Sequence, residues 1–338
     1  MHRCLQLARL GAGHVAPNPM VGAVLVYEDR IIGEGYHQEY GKAHAEVNCI
    51  ASVNEADRKL IPQSTIYVSL EPCAHHGKTP PCADLIIASG IPRVVVGCRD
   101  PFPQVNGKGI EKLKVAGIDV TLGVLEKECT ALNSRFFTFN TRHRPYVVLK
   151  WAQTANGFIA RTGERTPISN EYTDRLVHKW RAEEAAILVG TRTALVDDPA
   201  LTTRLWAGPD PIRLVIDKDL RLPQHLHLFD KKTKTIVFNT RKHEEGDNLT
   251  WYQVAEDSSL VHQISIALHH QKIQSVLVEG GARLLQSFID EDAWDEAKVI
   301  TNNELEFPAG VSAPRLHNAH LQSHESLLSD TIRYYHHD

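Results

Sequence analysis

Short apolar runs alternate with segments of helical spacing along the first half of the chain. The apolar run at 65–70 predicts a buried strand, and the spacing of apolar positions at 44–53 and 82–89 predicts helices. Because strands that alternate with helices usually pair in parallel, this order indicates a largely parallel sheet with helices on both faces. The strands predicted in this half lie at 21–26, 31–36, 65–70, 93–97 and 120–124, and the second is predicted to be the hairpin partner of the first.

A connecting segment separates this half from a second one with its own alternation. Residues 126–140, rich in Glu, Lys and aromatic side chains, predict a helix, and 141–145 interrupts the pattern. A chain of 338 residues exceeds the usual size of one domain. We therefore expect two α/β domains, at 1–143 and 144–338. The strands predicted in the second domain lie at 146–151, 186–190, 212–217, 235–238, 275–279 and 297–300.

Composition and charge narrow the class of protein. With 42% hydrophobic and 23% charged residues the chain can form ordinary cores, and its net charge of −4 argues against a broad basic surface for nucleic acid. Six cysteines are too few for a disulfide scaffold in a chain of this length. The sequence contains no run of 18 apolar residues, so no membrane span is expected. The amino-terminal stretch lacks the apolar core of a leader peptide. The sequence thus predicts a cytoplasmic protein without nucleic-acid or membrane partners.

One histidine and two cysteines stand where predicted elements begin or end. His44 opens one predicted helix, Cys73 follows a predicted strand, and Cys82 opens the next helix. A catalytic Zn²⁺ takes three protein ligands and leaves its fourth position to water. Glu46, two residues after His44, can take a proton from water and return it to a ring nitrogen and to departing ammonia. His-x-Glu followed by Pro-Cys and a second Cys is the signature of zinc-dependent deaminases.

Other interpretations of these residues stay open at this point. A His-x-Glu pair alone says little, and a buried cysteine is usually just a small apolar side chain. A structural zinc site, in a binding module without catalysis, more often has four ligands in two close pairs. His75 or His76 could supply a fourth ligand, but the site would then lose its water. The three-ligand pattern with Glu46 beside it favours a catalytic zinc for the hydrolytic deamination of a pyrimidine-like ring.

Eight residues separate Cys73 from Cys82, where the common deaminase signature has two. The stretch Pro-Cys-Ala-His-His-Gly-Lys-Thr-Pro-Pro-Cys at 72–82, with Ala-Pro-Asn-Pro-Met-Val-Gly at 16–22 and His-Ala-Glu-Val at 44–47, resembles the bifunctional riboflavin-biosynthesis deaminase–reductase family. The resemblance implies a cytidine-deaminase-like αβα sandwich followed by a dihydrofolate-reductase-like α/β domain. It also implies zinc-dependent deamination of 2,5-diamino-6-ribosylamino-4(3H)-pyrimidinone 5′-phosphate. NADPH-dependent reduction of the ribosyl chain would then give 5-amino-6-ribitylamino-uracil 5′-phosphate.

The resemblance also assigns substrate contacts around the zinc. In the deaminase these would be Asn18, His37, His75, Lys78 and Asp100. An asparagine can pair with the amide edge of a ring, and a lysine is a point charge suited to a phosphate. The histidine at 37 could bind phosphate or be only a polar loop residue. Two residues after the aspartate, where the family is expected to have an asparagine, this chain has Phe102.

In the second half, 275–285 predicts a strand, two glycines and a helix. A helix amino terminus can hold a phosphate through its free N–H groups, although a plain glycine turn is common. The resemblance extends over this motif and over 149–157, 181–182 and 193–204, and it implies an NADPH site beside a second substrate site. The NADPH contacts would be Ala152, Pro167, Thr193, Asp197, Gly281, Ala282, Arg283, Leu284, Leu285, Gln286 and Ser287. The substrate contacts of the reductase would be Arg165, Arg181, Leu201, Arg204 and Glu279.

Two residues of this second site differ from the family, and another function for the chain is also possible from the sequence. Arg181 and Arg204 suit a phosphate because a guanidinium offers forked donors, but Arg181 could also lie on a solvated helix face. The family's aspartate before Gly157 is Asn156 here, and Pro167 replaces a tryptophan often found in the cofactor site. The rival is a single-function nucleoside or base deaminase with a degenerate reductase-like domain. Because members of the family commonly associate, we also expect a homo-oligomer.

Overall fold

The computed structural model of the chain describes residues 1–74, 80–162 and 166–338. The backbone divides into two compact units, Met1–His143 and Arg144–Asp338. Each unit has its own main sheet and its own apolar core. Among the helices so described, none is both long enough and apolar enough to cross a membrane.

Unit 1 (Met1–His143) alternates strands and helices much as the sequence predicts. A 3₁₀ helix at Glu55–Gln63 was not predicted. The other elements are α1 (His2–Arg9), β1 (Gly22–Tyr27), β2 (Arg30–Tyr36), α2 (Ala45–Ala51), β3 (Thr65–Leu70), α3 (Cys82–Ala88), β4 (Arg93–Cys98), α4 (Lys108–Val115), β5 (Asp119–Leu122), α5 (Glu126–Leu132) and α6 (Ser134–Arg142).

The sheet of unit 1 is only half parallel, which corrects the prediction of a largely parallel sheet. Its described strands have the order β2-β1-β3-β4-β5. The β3–β4 and β4–β5 pairs are parallel, whereas β1 is antiparallel to both β2 and β3. The reason is the β1–β2 hairpin. The helical crossover from β2 brings β3 back parallel to β2 but places it beside β1, which runs the other way.

The connecting helix predicted at 126–140 is two helices, α5 and α6, that meet at Asn133. The side chain of Asn133 is buried, and its Oδ1 accepts a hydrogen bond from Met20 N at 2.8 Å while its Nδ2 donates to Met20 O at 2.9 Å. These two bonds hold the residue in a non-helical conformation, with φ −108° and ψ 26°. A tertiary contact thus overrides the local helical pattern.

Close packing of α2 against β2 fixes the helix that His44 precedes. A side chain at Gly35 of β2 would place its Cβ only 2.3 Å from the backbone nitrogen of Cys49 in α2. Only glycine therefore allows this approach. The remaining core of unit 1 is formed by apolar side chains of the central strands, such as Ala23, Leu25 and Val68, all fully buried.

Unit 2 (Arg144–Asp338) has a longer run of strands and a carboxyl-terminal hairpin that the sequence pattern did not predict. A short 3₁₀ helix lies at His227–Phe229. The other elements are β6 (Tyr146–Thr154), β7 (Phe158–Ala160), α7 (Glu171–Glu183), β8 (Ala186–Val189), α8 (Thr191–Asp197), β9 (Ile212–Ile216), β10 (Thr235–Asn239), β11 (Glu244–Gly246), β12 (Leu249–Gln253), α9 (Leu260–His270), β13 (Ser275–Gly280), α10 (Ala282–Asp290), β14 (Glu296–Asn302), β15 (Val311–Ser312), β16 (Ala319–Leu327) and β17 (Asp330–His337).

The main sheet of unit 2 has a parallel centre. Its described strands have the order β11-β12-β10-β9-β8-β13-β6-β14-β17-β16. From β12 to β14 every neighbouring pair is parallel. Both faces are buried, since Val276 and Val278 of β13 belong to one apolar cluster and Leu277 to the other. The carboxyl ends of these strands therefore meet at one edge of the sheet, where α/β proteins usually bind ligands.

Candidate active sites

The three predicted zinc ligands lie together in unit 1. His44 stands at the amino end of α2, Cys82 begins α3, and Cys73 follows β3. His44 Nδ1 is 3.6 Å from Cys73 Sγ and 3.4 Å from Cys82 Sγ, and the three donor atoms lie within 4.8 Å of one another. Tetrahedral zinc bonds of about 2.0 Å to nitrogen and about 2.3 Å to sulfur put such atoms roughly 3.6 Å apart. The three side chains therefore fit a zinc ion.

The contacts within this group favour the thiolate that zinc requires. The hydrogen bond from the Cys82 thiol is the largest influence on Cys73 and lowers the pKa of that thiol to about 4. The backbone N–H of Cys82 also donates to Cys73 Sγ at 3.3 Å. Contact with Cys73 raises the pKa of His44. The hydrogen bond between the two cysteines raises the pKa of the Cys82 thiol. Because the thiolate is the metal-binding form of cysteine, Cys73 is the ligand already favoured in that form, and Cys82 would lose its proton when a cation binds.

Glu46 lies on the first turn of α2 and is almost completely buried, with 3% of its surface exposed. Burial raises the pKa of its carboxyl group to about 7, and that group hydrogen-bonds with the Cys82 thiol. A carboxyl group with a pKa near neutrality can both accept and return a proton at neutral pH. Glu46 thus lies beside the metal ligands with the properties of a proton shuttle.

Two predicted substrate contacts, Asn18 and His37, contact each other, and His37 packs against the predicted zinc ligand His44. His37 Nδ1 is 3.0 Å from the carbonyl oxygen of Ala43, and its Nε2 is 3.1 Å from Asn18 Nδ2. The carbonyl can only accept and the amide nitrogen can only donate, so the ring is neutral, with its proton on Nδ1. Burial lowers the pKa of His37, and its ring packs edge-on against His44 at 5.3 Å between centroids. His37 therefore enters this site uncharged.

Asp100, a third predicted contact, follows β4 and is buried. Burial raises the pKa of its carboxyl group to about 7, and the negative charges of Glu71 and then Cys73 add to this effect. Its Oδ1 accepts a hydrogen bond from the backbone N–H of Phe102 at 2.7 Å. Because the bond involves the backbone of Phe102, the replacement of an expected asparagine at that position leaves this bond intact.

Glu71 is a buried carboxylate that the sequence analysis missed. It accepts hydrogen bonds from the backbone N–H groups of Asp100 at 3.3 Å, Gly107 at 2.9 Å, Gly109 at 3.0 Å and Ile110 at 3.3 Å. One side chain thus holds the loop after β4 and the start of α4. Its position two residues before Cys73 was the only signal in the sequence. Three further predicted contacts, His75, Lys78 and Arg165, lie outside the described residues.

Unit 2 contains a cavity of about 890 Å³ at the carboxyl ends of its parallel strands. Lys150 and Glu279, on the neighbouring strands β6 and β13, both line it. Such a volume suits a ligand of cofactor size. The predicted NADPH contacts that line the cavity are Ala152, Pro167, Thr193, Asp197, Gly281, Ala282, Arg283, Leu284, Leu285 and Ser287.

The cavity wall has features that fit a dinucleotide. Gly281, at φ +79°, precedes α10, so the free N–H groups of this helix open onto the cavity. At Gly280 a Cβ would lie 3.0 Å from Thr193 Cγ2, which shows how closely the backbone is packed there. Thr166 Oγ1 is buried in the lining and has no hydrogen-bond partner among the described residues. The residues present therefore fit NADPH.

Gln286 is the predicted NADPH contact that the structure does not bring to the cavity. Its Nε2 donates to Asp290 Oδ1 at 2.7 Å, and its Oε1 accepts from Arg315 N at 2.9 Å. The seven residues 281–287 start a helix, and a helix presents only part of its surface to one side. The seven side chains of 281–287 therefore cannot all face the cavity, and Gln286 is the one that does not line it.

The predicted substrate residues of the reductase form a charged cluster. Arg181 of α7 pairs with Glu279 at 2.7 Å, with side chains 13% and 7% exposed, so Arg181 is not on a solvated face. Lys150 belongs to the same cluster, and burial lowers the pKa of its ammonium group. Lys150 was not among the predicted site residues, although a lysine within the apolar run 146–151 was a signal in the sequence.

Arg204 and Leu201 lie on the segment that follows α8. The backbone N–H of Arg204 donates to His178 Nδ1 at 3.0 Å, and its guanidinium donates to Thr202 Oγ1 at 2.9 Å. Leu201 is buried, with φ +54°. Arg181 Nη1 also reaches Thr202 O at 3.5 Å. The segment is thus tied to α7 near the Arg181–Glu279 pair.

Asn156, the departure from the family's aspartate, has a structural role. Its Nδ2 donates to the carbonyl oxygen of Phe307 at 2.8 Å, and its Oδ1 accepts from Thr154 Oγ1 at 2.7 Å. An aspartate could make the second bond but not the first, because a carboxylate has no donor. The Asn156 amide therefore makes a hydrogen bond to Phe307 that an aspartate could not make, although it lacks the charge of an aspartate.

Comparison with known proteins covers both units. Residues 1–98 match the cytidine and deoxycytidylate deaminase zinc-binding region, and residues 145–302 match the RibD C-terminal domain. The riboflavin biosynthesis protein RibD of Aquifex aeolicus is 41% identical over 306 residues, which cover 89% of this chain and 85% of the relative. That of Escherichia coli is 35% identical over 328 residues, 90% of this chain and 87% of the relative.

Solved structures give the same result. A Thermotoga maritima diaminohydroxyphosphoribosylaminopyrimidine deaminase/5-amino-6-(5-phosphoribosylamino)uracil reductase superposes with a TM-score of 0.90 at 36% identity, over 100% of this chain and 97% of that one. Acinetobacter baumannii RibD superposes with a TM-score of 0.89 at 30% identity, over 99% and 97%. These matches confirm the fold class, a cytidine-deaminase-like sandwich followed by a dihydrofolate-reductase-like domain.

Proposed function

The chain belongs to the RibD family of riboflavin biosynthesis proteins, and from that premise we propose which of its residues carry out the two reactions. It is a bifunctional enzyme, with a zinc-dependent deaminase domain and an NADPH-dependent reductase domain. This confirms the predicted pathway, activities and cofactors. A single-function deaminase with a degenerate second domain is not favoured. We propose 1–143 for the deaminase and 144–338 for the reductase, in line with the two compact units.

The proposed substrate of the first reaction is 2,5-diamino-6-ribosylamino-4(3H)-pyrimidinone 5′-phosphate. The Thermotoga maritima relative carries the name of a deaminase that acts on such a phosphoribosylaminopyrimidine. In the reaction the C–N bond to the ring amino group breaks, a C–O bond to water's oxygen forms, and ammonia leaves. No atom is oxidised or reduced. Because water adds and ammonia leaves, the reaction needs an activated water and a group that moves protons.

The observation that carries this assignment is the burial of Glu46 against Cys82, beside the three ligand atoms. Zinc, when bound by His44, Cys73 and Cys82, supplies a Lewis acid that makes water a better nucleophile. Glu46 takes one proton from the attacking water and gives it to the ring nitrogen, then takes the second proton from the hydroxyl group added to the ring carbon and gives it to the departing amine. Its pKa of about 7 suits both roles.

Two further residues position the ring in the proposed deaminase site. Asn18 offers an amide to the polar edge of the pyrimidinone, and neutral His37 holds the Asn18 side chain through its Nε2 atom. Asp100, beside the charge of Cys73, accepts or donates a hydrogen bond according to its own protonation state. We also assign the substrate phosphate to Lys78 and His75.

In the proposed reductase site, bound NADPH supplies a hydride to the sugar carbon that carries the ring nitrogen. As the hydride forms a C–H bond at this carbon, the bond between the carbon and the ring oxygen of the sugar breaks and that oxygen takes a proton, which converts the ribosyl ring to a ribityl chain. We assign proton delivery to Lys150, because burial lowers its pKa and so makes the ammonium a better acid. Glu279 holds both Lys150 and Arg181 by charge. Arg204 and Arg165 are assigned to the substrate phosphate.

The test separates the two reactions within the full chain. Glu46→Gln should reduce ammonia release from the diaminopyrimidine phosphate by at least about 100-fold, since general acid–base catalysis contributes roughly that much. Zinc content should stay at one ion per chain by metal analysis. When the deaminated compound is supplied directly, the same variant should oxidise NADPH at the normal rate.

A matched control uses an exposed carboxylate of the same unit. Glu55→Gln, on the 3₁₀ helix of unit 1, removes the same charge from a side chain that is 85% exposed and should leave both rates unchanged. Normal ammonia release by Glu46→Gln would show that the zinc is structural or that another residue moves the proton. No NADPH oxidation by the unmodified protein would contradict the reductase assignment alone.

We further propose that this enzyme works in the reducing cytoplasm, acts on a small phosphorylated pyrimidine rather than on nucleic acid, and associates into homo-oligomers. The six cysteines are free thiols, which supports a reducing compartment. The net charge of −4 supports the absence of a nucleic-acid partner. Association into homo-oligomers is proposed because members of the family commonly associate.

A further inference from the structure

A buried histidine of α7 faces the 201–210 segment, which follows α8 in unit 2. His178 is 5% exposed and lies one helical turn before Ala182, so the two residues share one face of the helix. A Cβ at Gly208 would lie only 2.6 Å from Ala182 Cβ, so the backbone of the segment touches the helix directly at that point. The segment contacts His178 four residues earlier, at Arg204. It thus lies along α7.

The bond between this histidine and the segment fixes the protonation state of the ring. The backbone N–H of Arg204 donates to His178 Nδ1 at 3.0 Å. A backbone N–H can only donate, so Nδ1 has no proton and the proton of the neutral ring is on Nε2. A doubly protonated ring has donors at both nitrogens and cannot make this bond. The contact therefore exists only while His178 is uncharged.

The surroundings of the ring favour its neutral form. Burial lowers the pKa of His178, and the positive charges of Arg181 and Arg204 lower it further. The carboxylates of Glu279 and Asp174 act in the opposite direction but are outweighed. These charged groups face the ring from α7, from β13 and from the segment. At neutral pH the ring is thus uncharged, and it gains a proton only below the ordinary histidine pKa of 6.5.

The histidine bond fixes the backbone of a residue whose side chain is available to a ligand. The Arg204 guanidinium is exposed, and its one hydrogen bond within the described parts of the chain goes to Thr202 Oγ1 at 2.9 Å. A guanidinium has five N–H donors, so most of them remain for an anion. A second hydrogen bond between the segment and α7, from Arg181 Nη1 to Thr202 O, is longer, at 3.5 Å. The direction of the Arg204 side chain therefore depends on the bond to His178.

We propose that His178 is a positioning residue of the reductase, whose neutral ring holds the backbone of Arg204 so that the guanidinium meets the substrate phosphate. Protonation of the ring releases this backbone. The inference rests on the proposed function, in which Arg204 binds that phosphate. His178 acts through Arg204 and not on the reacting atoms. Binding of the deaminated compound should therefore weaken in acid through this residue, whereas hydride transfer within the bound complex should not.

Kinetics of the full chain with NADPH and the deaminated compound test the role of Nδ1. His178→Leu removes the acceptor and should raise the KM for this compound about five- to tenfold, while kcat changes less than about twofold. His178→Asn should restore the KM to within about twofold, because its Oδ1 stands where Nδ1 stood and accepts the same N–H. His178→Gln carries its amide one carbon further out and should behave like His178→Leu. Equal rescue by the two amides would overturn the proposal.

A double-mutant cycle shows whether the effect passes through Arg204. Arg204→Ala keeps the backbone N–H but loses the guanidinium, and should raise the KM at least about tenfold. Added to Arg204→Ala, His178→Leu should raise the KM less than about twofold further, because the side chain that it positions is already gone. A full additive effect would make His178 a structural residue only. If Arg204→Ala alone leaves the KM unchanged, the proposed function of Arg204 fails, and this inference fails with it.

The pH profile is a readout that a purely structural residue would not change. Between about pH 7 and about pH 5 the KM of the unmodified protein should rise more steeply than that of His178→Asn, which has no titrating group there. The substrate phosphate also gains a proton near pH 6, but this affects both proteins equally. The matched control, His270→Leu, removes an exposed histidine from α9 and should leave the KM and its pH profile unchanged. Parallel profiles for the unmodified protein and His178→Asn would contradict the proposal.

Discussion

Arg181 donates hydrogen bonds from Nε and Nη2 to the two carboxylate oxygens of Glu279, at 3.0 and 2.7 Å. The pair joins α7 to the carboxyl end of β13, at the proposed reductase site. Burial by itself raises the pKa of Glu279, but the charges of Arg181 and Lys150 outweigh it and lower that pKa to about 2. The Glu279 carboxylate thus stabilises two cationic side chains, Arg181 and Lys150, in an environment that excludes most solvent.

Glu279→Gln should destabilise the protein strongly. The amide keeps the size of the side chain but leaves Arg181 and Lys150 buried without their counter-charge, which costs about 3–5 kcal/mol of the free energy of unfolding. Urea unfolding measures this loss. The control, Glu183→Gln, breaks the more exposed Lys179–Glu183 pair on the same helix and should cost less than about 1 kcal/mol. Similar losses in the two variants would mean that burial of the Arg181–Glu279 pair does not matter.

The stabilisation from Glu279 should disappear in acid. Because the folded protein lowers the pKa of Glu279 from 4.5 to about 2, this group stabilises the fold above pH 4.5 and loses that effect as the pH falls toward 2. The difference in unfolding free energy between the unmodified protein and Glu279→Gln should therefore shrink steadily between pH 5 and pH 2. A difference that stays constant over this range would show that the loss comes from packing.

The sequence singles out the three candidate zinc ligands because each stands at the end of a predicted helix or strand. The structure brings the donor atoms of His44, Cys73 and Cys82 within 4.8 Å of one another. Local apolar patterns also locate most central strands to within one or two residues, although β6 extends three residues beyond its predicted end. Both features depend on short-range information, which a single sequence contains.

The remaining features depend on contacts between distant parts of the chain. The break at Asn133 arises from its bonds with Met20, 113 residues away, and no local pattern shows it. The carboxyl-terminal strand β16 is mostly exposed, so its residues carry little apolar alternation. The resemblance assigns all of 281–287 to the NADPH site without regard to the direction in which each side chain points. Gln286, which hydrogen-bonds with Asp290 and Arg315 instead of lining the cavity, shows the consequence.

Lys150→Met should abolish the second reaction without disturbing the first. The thioether has nearly the shape of the lysine side chain but no proton to donate, so NADPH oxidation with the deaminated compound should fall at least about 100-fold. Ammonia release should be normal, and NADPH should still bind, as fluorescence titration can show. Lys179→Met, on the more exposed Lys179–Glu183 pair of α7, is the control and should retain full activity. A fall of less than about fivefold in Lys150→Met would assign proton delivery elsewhere.

Glu71→Gln should impair the deaminase through Asp100 rather than through the metal. The carboxylate of Glu71 accepts four backbone N–H groups, whereas an amide offers one acceptor oxygen and turns an N–H₂ group toward the other donors. Loss of one or two charge-assisted bonds should lower the free energy of unfolding by about 2–4 kcal/mol. The loop between β4 and α4 would then no longer fix Asp100, so the KM of the deamination should rise more than kcat falls.

Two internal comparisons make this last prediction specific. Zinc content and NADPH oxidation with the deaminated compound should not change, because neither the metal ligands nor unit 2 depend on the loop. Glu111→Gln removes an equal charge from an exposed position of α4 and should leave the KM unchanged. The negative charge of Glu71 also raises the pKa of Asp100, so its removal should lower that pKa from about 7. An unchanged KM together with a destabilised fold would make Glu71 a structural residue only.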